Sequence, residues 1–420
     1  MKSDVLIVGA GPAGIAAAVR AKEGGAQVAV VDDNAAIGGQ IWRAGTHVHN
    51  NPQAQSWMQR LRAAEVTTLS GTRVISVDIE TRTCVLETDE AAKQIRFEKL
   101  ILATGAREFF LPFPGWTLPG VVGVGGVQAL AKAGAPMAGK RIVVAGSGPL
   151  LLAVASYLHK HGATVVLIAE QASRAMTFGF AARLFRYPAK AKEAVGLRSA
   201  LRGVPYRMNC WVETAEGDGQ VARVQVRCGG QSWTEECDYA AVAYGLRPNT
   251  ELASLLGCRM ARGAIEVDHL QRTSVAHVFA AGECTGIGGV ELSIVEGEMA
   301  GYAAAGKTNS AVRLQAARRR ALRFADALNK AFVPRPELRE LPRPATVVCR
   351  CEDVPFERLP SFPSFRAAKL HTRCGMGACQ GRICAPATEF LFGWECAGVR
   401  PPVFPVRVAT SISQNGREAT

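Results

Sequence analysis

The chain has 420 residues, of which 48% are hydrophobic and 20% are charged, and its formal net charge is +13. At about 100–200 residues per domain this length predicts two to four domains, and the composition excludes a disordered chain or a coiled coil. The longest uncharged stretches, 5–19 and 142–158, fall short of the roughly 20 apolar residues that a membrane-spanning helix needs. The first predicted strand leaves no room for a signal peptide, so we expect a cytoplasmic protein without a membrane span.

The N-terminal segment carries a dinucleotide-binding fingerprint. An apolar strand over 4–8 leads into Gly9-Ala10-Gly11-Pro12-Ala13-Gly14 and an alanine-rich helix, and a second strand over 27–31 ends at Asp32. In such a βαβ unit the first glycine makes the tight turn, the second lets the backbone approach a pyrophosphate, and the third lets helix and strand pack closely. The acid that closes the second strand accepts hydrogen bonds from ribose hydroxyls. We therefore predict a nucleotide site here.

The same pattern recurs further along the chain. A strand over 141–145 precedes Gly146-Ser147-Gly148-Pro149-Leu150-Leu151 and a helix, and a strand over 164–169 ends at Glu170. Leu151 replaces the third glycine. Glu170 would repel a 2′-phosphate, so Gly146, Gly148 and Glu170 predict a site for NAD or another adenine nucleotide rather than NADP. A Rossmann-type scaffold without a ligand is the alternative, and the sequence leaves the choice open.

Two shorter signatures follow predicted strands. A strand over 100–103 ends in Thr104-Gly105, and a strand over 278–281 ends in Gly282-Glu283, before a helix over about 290–304. Glycine allows a ligand to approach the backbone, and open α/β sheets bind ligands at the carboxyl ends of their strands. Each signature taken alone could be an ordinary turn.

Positive charge and cysteine concentrate near the C-terminus. Residues 313–420 hold 18 Lys or Arg against nine Asp or Glu, and five of the 12 cysteines lie within 349–384. A reducing compartment argues against a disulfide framework and favours a metal site. No nucleic-acid-binding module accompanies the basic charge, so we expect no nucleic-acid partner.

The cysteine spacing favours an iron–sulfur centre. Cys349 and Cys351 form a C-x-C pair, and Cys379 and Cys384 form a C-x₄-C pair that follows Cys374. Zinc ribbons usually present paired C-x₂-C knuckles, whereas four thiolates without histidine suit a [2Fe–2S] cluster. Zinc is the runner-up and unliganded structural cysteines are third. Five cysteines compete for four positions, so spacing alone excludes none of them.

Taken together, these motifs resemble known families. The motifs already quoted, with 38–43, 103–105 and 245–250, resemble the two-dinucleotide-domain flavoprotein disulfide-reductase superfamily. The cysteine segment resembles the bacterioferritin-associated-ferredoxin-like [2Fe–2S] domain. Their combination, with 111–116 and 372–384, is similar to the flavoprotein α subunits of heteromeric amine dehydrogenases, which include opine oxidases, D-hydroxyproline dehydrogenase, archaeal proline dehydrogenases and hydrogen-cyanide synthase. The resemblance covers residue 2 to about residue 394.

The resemblance implies an α/β fold with two Rossmann-type, glutathione-reductase-like dinucleotide-binding domains and a small C-terminal bacterioferritin-associated-ferredoxin-like [2Fe–2S] domain. The expected boundaries are 1–115 with 241–306 for an FAD-binding domain and 116–240 for the second domain. An amphipathic helix over 313–332 and a proline-rich stretch over 333–344 make 307–344 a linker. The cluster domain is expected over 345–400, with a tail over 401–420 that either contacts a partner or packs on its own domain.

The resemblance also implies the positions of the cofactors. FAD pyrophosphate would lie over Gly9, Gly11, Pro12, Ala13 and Gly14, with the adenosine ribose on Asp32. The further expected FAD contacts are Val74 near adenine, Gly39 and Gln40 near the isoalloxazine, Thr104 and Gly105 near the pyrophosphate, and Gly282 and Glu283 near the ribityl chain. The superfamily usually has Asp at the position of Glu283. The cluster ligands would be Cys349, Cys351, Cys379 and Cys384, with Cys374 as the spare.

The function that follows is electron transfer with FAD and a [2Fe–2S] cluster. By resemblance, a partner flavoprotein β subunit oxidises a secondary amine, opine or proline-type imino acid, and a small ferredoxin-like subunit can join the complex. We name no catalytic residue in this chain. Cys84 and Cys210 stand alone in the sequence, without a C-x₂-C or C-x₄-C partner, which argues against a dithiol reductase. The alternatives are a self-sufficient NADH-dependent reductase and a redox-inert assembly subunit.

Overall fold

The computed structural model describes residues 1–42, 51–395 and 398–415. Arg43, the last residue of the expected 38–43 flavin motif, lies outside the described residues. The described chain forms two compact units, one made of 1–107, 248–326 and the residues from 398 onward, and the other of 108–247 and 327–395. The boundaries expected for the separate domains stay predictions.

A seven-stranded sheet is the centre of the first unit. The strands of this unit are β1 (Lys2–Val8), β2 (Val28–Val31), β3 (Thr67–Leu69), β4 (Arg73–Asp78), β5 (Thr83–Glu87), β6 (Ala92–Leu102), β17 (Met260–Ala261), β18 (Ala264–Ile265) and β19 (Val278–Ala280). The strands of the sheet run in the order β3-β2-β1-β6-β5-β4, and β19 pairs with β6. The pairs that β1 makes with β2 and β6 are parallel, as are β2 with β3 and β6 with β19. Leu6 and Ile7, which point to opposite faces of β1, are both fully buried, as expected for a parallel strand covered on both faces.

The helices of this unit are α1 (Pro12–Glu23), α2 (Gly39–Trp42), α3 (Pro52–Ala63), α8 (Glu251–Leu255), α9 (Gly289–Ala304), α10 (Thr308–Arg313) and α14 (Val408–Asn415). A further helix, α11 (Gln315–Ala331), begins in this unit, and its residues from 327 onward belong to the other. A Cβ added to Gly297 would lie 2.1 Å from the carbonyl oxygen of Ala13, and one added to Gly301 would lie 2.3 Å from that of Ala17. The two glycines therefore let α9 pack directly against the backbone of α1.

The second unit contains two sheets, built from β8 (Val121–Val122), β9 (Arg141–Gly146), β10 (Thr164–Glu170), β11 (Tyr206–Met208), β12 (Cys210–Glu216), β13 (Arg223–Cys228), β14 (Gln231–Glu236) and β15 (Tyr239–Ala243). One sheet is five-stranded and parallel, in the order β11-β10-β9-β15-β8, and the other is three-stranded and antiparallel, β12-β13-β14. The cysteine segment adds the pair β20 (Val347–Cys349) and β21 (Val354–Pro355). Two short strands, β7 (Ala106–Glu108) and β16 (Leu246–Pro248), lie where the chain passes from one unit to the other.

The helices of the second unit are α4 (Val124–Lys132), α5 (Leu150–Lys160), α6 (Arg174–Arg183), α7 (Pro188–Ala200), α12 (Phe365–Thr372) and α13 (Cys384–Phe392). Most of the segment 333–344, which we expected to be a linker, is irregular apart from a 3₁₀ turn over Pro336–Glu340. Leu338 and Leu341 of this segment are buried in the same core cluster as Trp211. The segment is thus packed against the second unit along part of its length.

Two further sequence expectations can be compared with the structure. The helix predicted over 313–332 is confirmed with slightly shorter bounds: α11 spans Gln315–Ala331, and Leu314 ends the preceding α10 by donating its N–H to the carbonyl of Ala311. The tail packs on its own unit, since Val403 is buried and donates its N–H to the carbonyl of Ile75 at 2.9 Å. In the described part of the chain, no helix combines the length and the apolarity needed to cross a membrane.

Candidate cofactor sites

The first glycine loop has the geometry that its sequence predicts. Gly9 has φ +104°, and a Cβ there would lie 2.3 Å from the carbonyl oxygen of Ala103. A Cβ on Gly14 would lie 1.8 Å from the carbonyl oxygen of Gly9. By contrast, among the described residues a Cβ on Gly11 would contact only the Cα of Gly39, at 3.9 Å. The fold itself therefore requires Gly9 and Gly14, whereas Gly11 borders open space where a ligand can approach.

Asp32 lies beside this loop, directly after β2. Its carboxylate accepts hydrogen bonds from the backbone N–H of Ala10 at 2.5 Å and of Asn34 at 2.8 Å, and the residue is 6% exposed. The acid and the glycine loop are thus adjacent, as the fingerprint requires. Pro12 and Ala13 form the first turn of α1, so its free backbone N–H groups begin at the same loop.

Gly39 and Gln40 reach the same place from another part of the chain. They begin α2, and the N–H of the preceding Gly38 donates to the carbonyl of Ala10 at 2.8 Å. A Cβ on Gly39, which has φ +59°, would lie 2.9 Å from the Cα of Gly11. The structure therefore brings these two predicted flavin contacts to the first glycine loop.

Thr104 and Gly105 meet the 245–250 motif through Asn249. The hydroxyl of Thr104 donates to the carbonyl of Asn249 at 2.7 Å, and the Asn249 amide donates back to the Thr104 carbonyl at 2.9 Å. The N–H of Asn249 also donates to the carbonyl of Gly105 at 2.9 Å. Two motifs about 145 residues apart in the sequence are thus one local structure.

Gly282 and Glu283 lie against the start of α1. A Cβ on Gly282 would lie 2.7 Å from the Cβ of Ala13. Glu283 is half-buried, and burial raises the pKa of its carboxyl group, although a hydrogen bond from the N–H of Gly289 opposes the rise. Val74, expected near adenine, is buried on β4, opposite Leu86 of β5.

Sequence reasoning missed Glu296. This carboxylate on α9 is 1% exposed and accepts from the N–H of Gly282 at 3.2 Å, the hydroxyl of Thr285 at 2.8 Å and the guanidinium of Arg318 at 3.0 Å. It fixes the loop that carries Glu283. The sequence held one sign of this role: Glu296 is a charged residue next to Gly297 on a predicted helix. A glycine in a helix can mark close packing, which would bury its neighbour.

The second glycine loop resembles the first. Gly146 has φ +135°, and a Cβ there would lie 1.7 Å from the carbonyl oxygen of Ala243. Glu170 is fully buried, and its carboxylate accepts from the N–H of Gly148 at 2.7 Å and of Ala172 at 2.8 Å. Burial raises the pKa of Glu170 to about 7, and these two hydrogen bonds oppose the rise.

The C-terminal cysteines converge in the second unit. The sulfur atoms of Cys349, Cys374 and Cys384 lie within 4.8 Å of one another, and all three residues are buried. Hydrogen bonds from the thiols of Cys374 and Cys384 lower the pKa of Cys349 far below its usual value, and the N–H of Gly375 donates to its sulfur at 3.5 Å. Three buried sulfur atoms this close together can bind a metal ion or an iron–sulfur cluster.

A cavity of about 90 Å³ adjoins these sulfurs. Cys349, Cys351, Cys379 and Cys384 line it together with Phe110, Trp116, Arg350 and Ile383. Cys351 is exposed and Cys379 is half-buried. A Cβ on Gly377 would lie 2.2 Å from the Cβ of Cys351, so this glycine lets the 375–379 loop reach the C-x-C pair. All five cysteines of the segment are therefore gathered at one place, which their spacing predicted.

Cys210 has no C-x₂-C or C-x₄-C partner, but it faces Cys228 across the antiparallel pair β12 and β13, with the Cα atoms 4.1 Å apart. The partners are separated by 18 residues, so a search for closely spaced cysteines could not find them.

Comparison with known proteins agrees with this architecture. The family model of pyridine nucleotide-disulphide oxidoreductases matches residues 3–311. An opine oxidase subunit of Agrobacterium tumefaciens is 32% identical, in an alignment covering 97% of this chain and 90% of that protein. Hydrogen cyanide synthase subunit HcnB of Pseudomonas aeruginosa is 31% identical, covering 90% of each.

Among solved structures, L-proline dehydrogenase from P. horikoshii superposes with a TM-score of 0.70 at 19% identity, covering 98% of this chain and 79% of that one. Thioredoxin reductase from T. acidophilum gives a TM-score of 0.58 at 23% identity, covering 73% of this chain and 99% of that one. These likenesses confirm the glutathione-reductase-like fold with two dinucleotide-binding domains. On the extent of the family match and of the full-length similarity to the opine oxidase protein, the chain belongs to the pyridine nucleotide-disulphide oxidoreductase family.

Proposed function

We propose that this chain is the electron-transferring subunit of a heteromeric dehydrogenase that oxidises a secondary amine, opine or proline-type imino acid. The observation that carries the proposal is the presence of two sites in one chain. One is the glycine loop, which is open at Gly11, and the other is the cavity lined by cysteines that include Cys349 and Cys351. Proteins named as subunits of opine oxidase and hydrogen cyanide synthase are similar over at least 90% of this chain, which supports a subunit role.

The residues of the first loop fit FAD. Gly11 leaves room for a pyrophosphate, the free N–H groups of α1 begin beside it, and Asp32 is positioned for a ribose. Gly39 and Gln40 border the same space. We assign the remaining contacts to Thr104, Gly105, Gly282, Glu283 and Val74. When bound, FAD accepts two electrons and a [2Fe–2S] cluster passes them on one at a time, so the pair joins a two-electron oxidation to a one-electron acceptor.

For the cluster we assign Cys349, Cys351, Cys379 and Cys384 as the ligands, in a domain over 345–400. These four cysteines line one cavity, whereas Cys374 does not line it. Cys374 then remains a thiol beside Cys349 and Cys384. Arg382 donates to the backbone carbonyl of Cys379 at 3.2 Å, which brings a positive charge close to this proposed ligand.

We assign substrate oxidation to a partner flavoprotein subunit, because the similar proteins are named as one subunit of an enzyme. A small ferredoxin-like subunit fits as electron acceptor, since Cys351 is exposed and a cluster bound there would lie near the surface. The substrate class rests on the names of the similar proteins.

Steady-state oxidation with an artificial electron acceptor tests the proposal. Opines, N-alkyl amino acids and proline derivatives are offered to the purified chain, to its co-expressed partner, and to both together. We expect turnover only with both subunits, and we expect Gly11→Ala to abolish it. Gly196→Ala is the matched control, because a Cβ at this exposed position on α7 would meet no atom within 4 Å. Substantial turnover by the chain alone would contradict the proposal, because the active site would then lie on this chain.

A further inference from the structure

The second glycine loop is covered by a later part of the chain itself. The hydroxyl of Ser147, in the middle of this loop, donates to the carbonyl of Phe332 at 2.8 Å. A Cβ on Gly148 would lie 3.7–4.0 Å from atoms of the Phe332 side chain. Gly148 is the glycine over which a dinucleotide pyrophosphate approaches in this fold. Phe332 therefore occupies the approach that a nucleotide would use.

The side chain of Gln171 links this segment to the loop through three more hydrogen bonds, two of them to the segment itself. The Gln171 amide donates to the Ser147 hydroxyl at 2.9 Å and to the carbonyl of Val333 at 3.1 Å, and it accepts from the N–H of Arg335 at 3.1 Å. The ring of Phe332 also packs edge-to-face on Phe180, with centroids 5.3 Å apart. The segment 332–335 is thus anchored at both ends of its course over the loop.

The charge of the segment and the position of the nearby cavity also disfavour a nucleotide. The carbonyl oxygens of Phe332 and Val333 carry partial negative charge, and they would repel a negatively charged pyrophosphate at the loop. A cavity of about 300 Å³ remains beside the segment, lined by Ala172, Met176, Arg335 and their neighbours. None of the residues 146–148 lines this cavity, so it does not reach the glycine loop.

From these contacts we infer that residues 332–335 are a built-in plug over the second dinucleotide loop, and that this unit takes no NAD(P)H. Electrons then do not enter this chain from a pyridine nucleotide, which separates it from self-sufficient NADH-dependent reductases of the same fold. The inference depends only on the second unit and stands whether or not the partner subunit oxidises an amine.

Equilibrium binding to the full, FAD-loaded chain tests the plug, with NADH, NADPH and ADP-ribose as probes. For the wild-type chain we expect weak binding of all three probes, with dissociation constants above about 1 mM. The double variant Phe332→Gly, Gln171→Ala removes the ring and the bridging amide, and we expect it to bind ADP-ribose at least about tenfold more tightly. Phe185→Gly is the control, because Phe185 lies in the same unit and is 87% exposed.

Two outcomes would overturn the plug. One is micromolar binding of NADH to the wild-type chain, with bleaching of its flavin. The other is a double variant that keeps its FAD and its near-ultraviolet circular dichroism but binds ADP-ribose no better than wild type. If the double variant does not fold, hydrogen exchange of the Arg335 amide in the wild-type chain decides. Exchange unchanged by about 1 mM NADH supports the plug, and accelerated exchange shows that the nucleotide displaces it. Nucleotide binding and amide exchange are measured without an amine substrate, so they test the plug even if the complex does not oxidise an amine.

Discussion

Replacing Gly11 with alanine should strongly weaken FAD binding and leave the fold intact. Gly11 has φ −76°, which alanine adopts without strain, and of the residues that the structure describes the added Cβ would meet only the Cα of Gly39, at 3.9 Å. Reduced entropy of the unfolded chain favours alanine by about 0.4–1 kcal/mol, and its poorer N-capping of α1 offsets a similar amount. We therefore expect the ligand-free variant to stay within about 1 kcal/mol of the wild type in free energy of unfolding.

The same methyl group would lie where the backbone meets the pyrophosphate, so we expect FAD affinity to fall at least about 100-fold. Gly14→Ala provides the contrast: its Cβ would lie 1.8 Å from the carbonyl oxygen of Gly9, and it should lower stability in the absence of any ligand. Flavin fluorescence titration and chemical denaturation of the ligand-free proteins measure both quantities. A Gly11→Ala chain with wild-type FAD affinity would refute the placement of the pyrophosphate.

Three further predictions concern the second unit. Cys351→Ser should abolish the paramagnetic resonance signal of the reduced cluster while Cys374→Ser keeps it, and the reverse result would exchange their roles. Gly377→Ala should reduce iron content, because its Cβ would clash with Cys351, whereas Gly230→Ala, which meets no atom within 4 Å, should not. Burial raises the pKa of Glu170 above its unfolded value, so the stabilisation from its protonated form is present below about pH 4.5 and is lost as the pH rises through about 7. Compared with Glu170→Gln in urea titrations, wild-type stability should therefore fall by roughly 3 kcal/mol over this range, and a constant difference would contradict the assignment.

The parts of the sites that the sequence predicted are those whose residues are neighbours along the chain. The turn at Gly9 and the close contact at Gly14 are local consequences of a strand, a loop and a helix, so the glycine spacing was sufficient. The convergence of the cysteines was also predictable, because five cysteines within 36 residues can reach one metal ion or cluster. Even there, the contact between Gly377 and Cys351 gave a steric reason that the spacing did not contain.

What the sequence did not predict depends on contacts between distant segments. Phe332 lies 185 residues from Ser147, and no local pattern indicates that a stretch expected to be a linker would cover the second loop. Buried Glu296 became visible only when the packing of α9 on α1 was known. The pairing of Cys210 with Cys228 likewise required the register of two antiparallel strands.

The central claim is that electrons reach this chain from an amine oxidised on a partner subunit. Anaerobic addition of the amine substrate, followed by paramagnetic resonance of the cluster, tests it most directly. Loaded with FAD and two irons per chain, the complex should show the reduced-cluster signal within one turnover, and the isolated chain should show none. A cluster that is reduced equally well by substrate in the isolated chain, or stoichiometric zinc in place of iron in anaerobically prepared protein, would contradict the account.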